Sequence, residues 1–196
     1  MLIDAPWDYE VRSEKGLGKS PNRHYETMSV EEIASLPVSL LAAKDCALFA
    51  WVTWPLAMRW GEVIDAWGFQ FSGLAWEWIK YNAATDKYAF GGGYGTRKNV
   101  EPCLLCTRGN PKIKADQTFF GEVIPADGSR SVRDFIQAWP QDAIRAKRRQ
   151  HSRKPDEQYE RIERLFEGPY VELFGRTRRA GWTSWGNQLG MFEEGA

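Results

Sequence analysis

An α/β domain on a mostly parallel, three-layer sheet is what this sequence predicts, and two observations carry that expectation. Short apolar stretches bounded by turn residues, at 1–4, 46–52, 70–79, 101–107 and 170–174, read as strands. Segments with helical periodicity and clear end signals lie between several of them. Alternation of this kind puts helices on both faces of a sheet. The 196 residues suit a single domain, 1–196, able to bury a core without disulfides or a structural metal.

In chain order, Met1-Leu2-Ile3 opens the first strand, and Asp4-Ala5-Pro6-Trp7 follows at its C-terminal end. Ser29-x-x-Glu32 is a capping box that starts a short helix ending near Leu36-Pro37. Residues 56–67 read as a helix stopped by Gly68. Residues 155–167 make the best-formed helix, with Pro155 suited to its first position and Asp156 and Glu157 complementing the positive end of its dipole. Tyr159, Ile162, Leu165 and Phe166 form its apolar face, and Gly168 fits the stop. Two long loops, 8–28 and 81–99, and an irregular stretch from 108 to 150 remain. Arg12, Lys15, Lys19 and Arg23 with Gly16 and Gly18 mark the first as a mobile lid. Gly91-Gly92-Gly93-Tyr94-Gly95 lacks the strand before and helix after that a phosphate-binding glycine loop needs, so it reads as a loop tip.

Lys+Arg and Asp+Glu are 26 each, so the net charge is zero and any basic surface must be local. One local run is dense: Arg145, Lys147, Arg148, Arg149, Arg153 and Lys154. It suits salt-sensitive phosphate binding, or it is a solvated helix face. No apolar run approaches about 18 residues and no basic-then-apolar leader precedes the first strand, so no membrane span or signal peptide is expected. Cys46, Cys103 and Cys106 are a sparse, odd set that fits reduced thiols in a cytoplasm. The Cys103-x-x-Cys106 spacing suits a redox or zinc pair, or two side chains packed in a buried strand. Buried packing is preferred, since no second pair is present and the chain has two His.

Chemistry concentrates at Asp4-Ala5-Pro6-Trp7. A short acid, a rigid proline and an aromatic at a strand end can hold a planar base with an exocyclic amine. The acid accepts one N–H, a backbone carbonyl accepts the second, and the ring stacks on or borders the base. Any strand ending in a turn also yields such a tetrapeptide. At the other end of the chain, Tyr170 to Arg176 reads as a strand broken by Gly175, followed by Trp182, Trp185, Gly186, Asn187 and Gln188.

Together with His24 to Ser29, Leu48 to Thr53, Trp67-Gly68-Phe69, Trp78-Ile79-Lys80, Thr96-Arg97, Glu101 to Leu105 and Ser152 to Glu157, these segments make the chain resemble the MT-A family of N6-adenine methyltransferases over nearly its whole length. One departure is Ala5, where the family pattern has Asp-Pro-Pro-Trp. The resemblance implies a Rossmann-like α/β/α fold, permuted so that the catalytic motif is N-terminal and the cofactor strand C-terminal. It implies S-adenosylmethionine as cofactor, no metal, and methyl transfer to N6 of adenine in nucleic acid, DNA ahead of RNA, by a homodimer. Asp4, Ala5, Pro6 and Trp7 would be catalytic. Asp4, Lys154, Glu172, Phe174, Arg176, Asn187 and Gln188 would bind cofactor, with Glu172 on the ribose hydroxyls. Tyr25, Glu101 and Lys154 would face the acceptor, with Arg148 and Arg149 supplying the basic patch. Arg178 stands where eukaryotic members have a histidine. A non-catalytic, nucleic-acid-binding subunit and a thiol or zinc module stay open as other classes.

Overall fold

The computed structural model describes residues 1–8, 26–91, 95–114, 118–119, 122–123, 142–149 and 152–190. One eight-stranded sheet organises the chain. Strand β1 (Leu2–Ile3) is flanked in parallel by β2 (Cys46–Trp51) and β9 (Tyr170–Leu173), and β10 (Trp182–Trp185) adds in parallel beyond β9. On the other side, β5 (Val100–Arg108) lies antiparallel between β2 and β3 (Gln70–Asn82). The end of β3 pairs with β4 (Lys87–Tyr88), antiparallel, and with β8 (Ala143–Lys147), parallel. A two-stranded ribbon of β6 (Thr118–Phe119) and β7 (Glu122–Val123) stands apart.

The sheet is therefore mixed, with four parallel and three antiparallel pairings where a mostly parallel sheet is expected. Among the described residues the segment joining β3 to β5 contains no helix, and β5 returns beside β3 in the opposite sense, as a connection without a crossover requires. β8 and β10 escape an apolar reading. Ala143-Ile-Arg-Ala-Lys147 is basic with one buried residue, Ile144, and Trp182-Thr-Ser-Trp185 alternates buried and exposed.

Pleating splits the core into two faces. On one, Ile3, Leu48, Ala50, Leu104 and Cys106 pack under α1 (Val30–Ser35), α2 (Val38–Leu41) and α3 (Trp60–Ala66). On the other, Leu2, Phe49, Trp51, Trp76, Trp78 and Cys103 pack under Ile162 and Leu165 of α4 (Glu157–Leu165). Helices on both faces make this a Rossmann-like α/β fold.

The capping box forms as expected, with Glu32 N–H donating to Ser29 Oγ at 3.1 Å and Ser29 N–H to Glu32 Oε2 at 2.7 Å. The helix expected at 56–67 is divided. A 3₁₀ turn, Trp54–Arg59, carries Pro55 as its second residue and kinks at Leu56 before α3 begins. Gly68 then takes φ +75°, the left-handed stop that glycine allows. Pro155 lies two residues ahead of α4 and accepts the Gln158 N–H through its carbonyl. No helix among the described residues is long and apolar enough to cross a membrane.

Candidate active site

The crossover from β1 to β2 runs over one face of the sheet, and α4 enters β9 from the other. Connections that diverge this way leave a crevice beyond the carboxyl ends of the central strands, the usual ligand position in open α/β sheets. Leu2 registers with Glu172 and Ile3 with Leu173, so Asp4 and Phe174 leave adjacent strand ends side by side. A cavity of about 290 Å³ opens there, walled by Leu2, Asp4, Arg153, Lys154, Asp156, Gln158, Tyr159, Glu172 and the segment Phe174 to Arg179 apart from Gly175.

A charge cluster holds the β1 end. Lys154 Nζ donates to both Asp4 carboxylate oxygens, at 2.8 and 3.0 Å, and lies 3.4 Å from Glu101 Oε2. Lys80 donates to the other Glu101 oxygen. Burial would raise the Glu101 carboxyl, but the Lys154 and Lys80 ammonium groups outweigh it and hold the carboxyl below its ordinary range. Lys154, with only 10 % of its side chain exposed, also sits 5.3 Å over the Trp51 ring.

The tetrapeptide itself is folded tightly. The Trp7 N–H donates to the Ala5 carbonyl at 2.9 Å, and Trp7 Nε1 donates to the Trp51 carbonyl at 3.0 Å. Trp7 is buried in the core on the α1–α3 face of the sheet. Backbone bonds from Asp8 to Met28 and from Met28 to Pro6 tie down both ends of segment 9–25, itself outside the described residues.

Glu172, 6 % exposed, holds the β9 end. Tyr159 donates its hydroxyl to Glu172 Oε1 at 2.9 Å, and Ser184 Oγ stands 3.4 Å from Oε2. Burial pushes the carboxyl up to about 7, with Asp4 nearby adding to the rise, against the hydrogen bonds that favour its ionised form. Burial and the same carboxylate push the Tyr159 hydroxyl up as well. Beyond Glu172, Phe174 takes φ +63°, a left-handed conformation costly for a bulky residue. That turn brings two glycines together: a Cβ on Gly186 would lie 2.4 Å from the Gly175 carbonyl oxygen.

Asp4, Lys154, Glu172, Phe174 and Arg176 thus meet at one cavity, with Glu101 behind Lys154. Asn187 and Gln188 do not line it; they occupy the turn after β10, which Gly190 N–H fixes to the Arg176 carbonyl. Tyr25 lies outside the described residues, as do the charged and glycine positions expected in the lid. Arg145 and Lys147 of the basic run lie on strand β8, with Arg148 and Arg149 just beyond its end, not on a helix face. Arg149 folds inward onto Asp156 at 2.7 Å and onto the Lys154 carbonyl, whereas Arg148 is exposed. Sequence reasoning misses Gln158 and the site role of Tyr159, because both read as parts of an amphipathic helix. Cys103 and Cys106 point to opposite faces of β5, each in a different core, and cannot chelate one ion or pair with each other. Burial raises both thiols, Cys106 to about 12.

Comparison with known proteins bears on this site. The type II methyltransferase M.MunI of Mycoplasma sp is 28 % identical over 205 residues, an alignment covering 96 % of this chain and 76 % of that protein. The N(6)-adenosine-methyltransferase catalytic subunit METTL3 of Homo sapiens is 30 % identical over 194 residues, covering 96 % of this chain and 28 % of its own length. The MT-A70-like N(6)-adenosine-methyltransferase of Arabidopsis thaliana matches at 30 %, with 96 % of this chain against 23 % of its own. This chain therefore spans about a quarter of the two eukaryotic relatives. A family model described as MT-A70 matches residues 1–188, and those residues include the whole described cavity: the chain belongs to the MT-A70 family.

Proposed function

We propose that this chain transfers a methyl group from S-adenosylmethionine to N6 of adenine in nucleic acid, with DNA ahead of RNA as acceptor. The observation that carries the reading is the meeting of Asp4, Lys154 and Glu172 in one cavity at adjacent strand ends. The preference for DNA rests on the fuller length match to the bacterial type II methyltransferase. In chain order the Asp4 strand comes first and the Glu172 strand follows near the other end, ahead of β10 alone, an order that supports the permuted reading.

The residues fit the cofactor. A buried carboxyl with both oxygens near hydroxyl donors, Glu172, is suited to accept ribose hydroxyls once ionised. Lys154 and the arginines of the 176–179 turn offer donors for a carboxylate, and the cavity volume suits a ligand of nucleoside size. When bound, S-adenosylmethionine supplies an electrophilic methyl group on its sulfonium.

This chain's residues have the task of presenting the acceptor. The adenine N6 lone pair is delocalised into the ring and is a weak nucleophile. Asp4 accepts one N6 hydrogen and the Ala5 carbonyl the other, which draws the nitrogen toward tetrahedral geometry. Ala5 keeps a lone pair for this beside the bond from Trp7. Lys154 fixes the Asp4 carboxylate in place, so positive charge developing on N6 meets a preorganised anion. Positioning of this kind is worth up to about 7–11 kcal/mol in well-oriented systems. A duplex adenine must first leave the stack.

Labelled-cofactor transfer to adenine-containing DNA and RNA oligonucleotides tests the reading. Transfer by the wild type and its loss in Asp4→Ala are expected. A folded wild-type protein that binds the demethylated product yet methylates no oligonucleotide would establish the non-catalytic subunit instead.

A further inference from the structure

Gln158, in the first turn of α4, is only 3 % exposed and lines the cavity. Its carboxamide oxygen accepts the indole N–H of Trp51 at 2.7 Å. An indole N–H only donates, so this bond fixes which end of the amide faces the sheet. Trp51 is fixed in turn: it is fully buried, and its carbonyl accepts the Trp7 indole at 3.0 Å. The Gln158 nitrogen therefore points away from Trp51, and among the described residues its two N–H donors have no partner. Nor is it sealed in protein, since the one buried side-chain nitrogen or oxygen left unpartnered among the described residues is Trp76 Nε1. It opens on the cavity. Amides buried this deeply are ordinarily matched, and an unmatched one marks a place for a ligand acceptor.

The geometry points to Gln158 as a residue that specifies the ligand: its Nε2 donates to a carboxylate oxygen at the amino-acid end of the bound cofactor. The inference rests on the cofactor reading above and adds a residue to it. Three features of the surroundings select an anionic acceptor. Gln158 lies at the positive end of the nine-residue α4. The Lys154 ammonium and the Arg153 side chain belong to the same wall. Glu172, the buried carboxyl of the opposite strand end, is suited to hydroxyl donors, which leaves the N–H-rich end for an acceptor. In S-adenosylmethionine and its demethylated product, the group that is both anionic and an acceptor is the amino-acid carboxylate.

Calorimetry with S-adenosylhomocysteine and with methylthioadenosine, which keeps the nucleoside and sulfur but lacks the amino-acid end, tests this. Gln158→Met should weaken S-adenosylhomocysteine binding about tenfold and leave methylthioadenosine binding unchanged. Gln158→Glu keeps an oxygen for Trp51 and preserves the fold, but turns an acceptor toward the carboxylate. It should bind S-adenosylhomocysteine more weakly than Gln158→Met does. A purely structural Gln158 gives the reverse order, with Gln158→Glu close to wild type, and that order overturns the inference. Equal losses for both ligands place the contact on the nucleoside and overturn it too, as does unchanged affinity in both variants. A folded wild type that binds neither compound fails the cofactor reading itself, a result distinct from all of these.

Discussion

Lys154 Nζ and the Asp4 carboxylate, 150 residues apart in the chain, meet at 2.8 and 3.0 Å, and the same ammonium is shared with Glu101. One cation thus separates two half-buried carboxylates that would otherwise repel. Lys154→Met removes the strongest influence holding Glu101 ionised and leaves Asp4 facing it. Stability should fall by about 1–3 kcal/mol, less than for a fully buried pair because both acids keep some exposure. Methyl transfer should fall by about 100-fold or more. Urea melts and single-turnover rates check the two separately. A variant as active as wild type would remove Lys154 from the site.

Glu172 sets a pH dependence whose sign is opposite to that of a salt-bridged acid. Its carboxyl is raised from the ordinary 4.5 to about 7, so the folded state binds more protons than the unfolded state between those values. The stabilising contribution is complete below about pH 4.5 and is lost as pH rises through about 7. Ligand affinity should run the other way, because ribose hydroxyls need the ionised carboxylate. Affinity for S-adenosylhomocysteine should rise from pH 6 to pH 8 in the wild type. In Glu172→Gln it should be weak and nearly flat. Titration calorimetry at three pH values checks both, and a flat wild-type profile would remove Glu172 from the binding surface.

Much of this site is legible in the sequence, for reasons that differ by residue. Asp4 and Glu172 stand at the ends of short apolar strands, where position alone advertises chemistry. Lys154 is adjacent to a proline that introduces a helix, a local signal. Gln158 and Tyr159 carry no such mark: both continue a helix, and their place at the cavity comes from Trp51 and Glu172, brought to them by the sheet. The antiparallel placement of β5 is equally silent, because apolar runs do not encode direction. Arg149 misleads for a related reason. It counts as one charge of a basic run, yet the fold uses it to hold Asp156 and the carbonyl of Lys154.

Gly175 and Gly186 should not tolerate alanine equally. At Gly175 the added Cβ would meet Glu172 Oε2 at 3.0 Å and Ser184 Cβ at 3.2 Å, side-chain atoms with room to adjust. At Gly186 it would meet the Gly175 carbonyl oxygen at 2.4 Å, which is backbone and cannot move without separating β9 from β10. Gly186→Ala should therefore cost about 1–3 kcal/mol or more, on the scale of overpacking. Gly175→Ala should cost less in stability but weaken ligand binding through Glu172. Thermal melts and calorimetry together separate the two outcomes, and equal stability losses would contradict the contact geometry.

The basic run divides into charges the fold uses and charges it presents. Arg145 is paired with Asp86 at 2.6 Å and stacks over Tyr81, and Arg149 is turned inward. Lys147 and Arg148 are exposed at the end of β8. If nucleic acid tracks this edge, those two side chains neutralise phosphates, and each contact contributes about 0.7–0.9 to the slope of log affinity against log salt. Lys147→Gln with Arg148→Gln should flatten that slope by up to about 2, weaken binding across all sequences alike, and leave S-adenosylhomocysteine affinity unchanged. Arg149→Gln should do the opposite. By releasing the Lys154 carbonyl and Asp156 it loosens the segment that carries Lys154, so methyl transfer slows while the salt slope changes little. Fluorescence anisotropy over a salt series, run beside single-turnover rates, reads both effects. An unchanged slope in the double variant would put the nucleic acid on another surface, and a salt effect confined to Arg149→Gln would mean that the inward arginine opens when the acceptor binds.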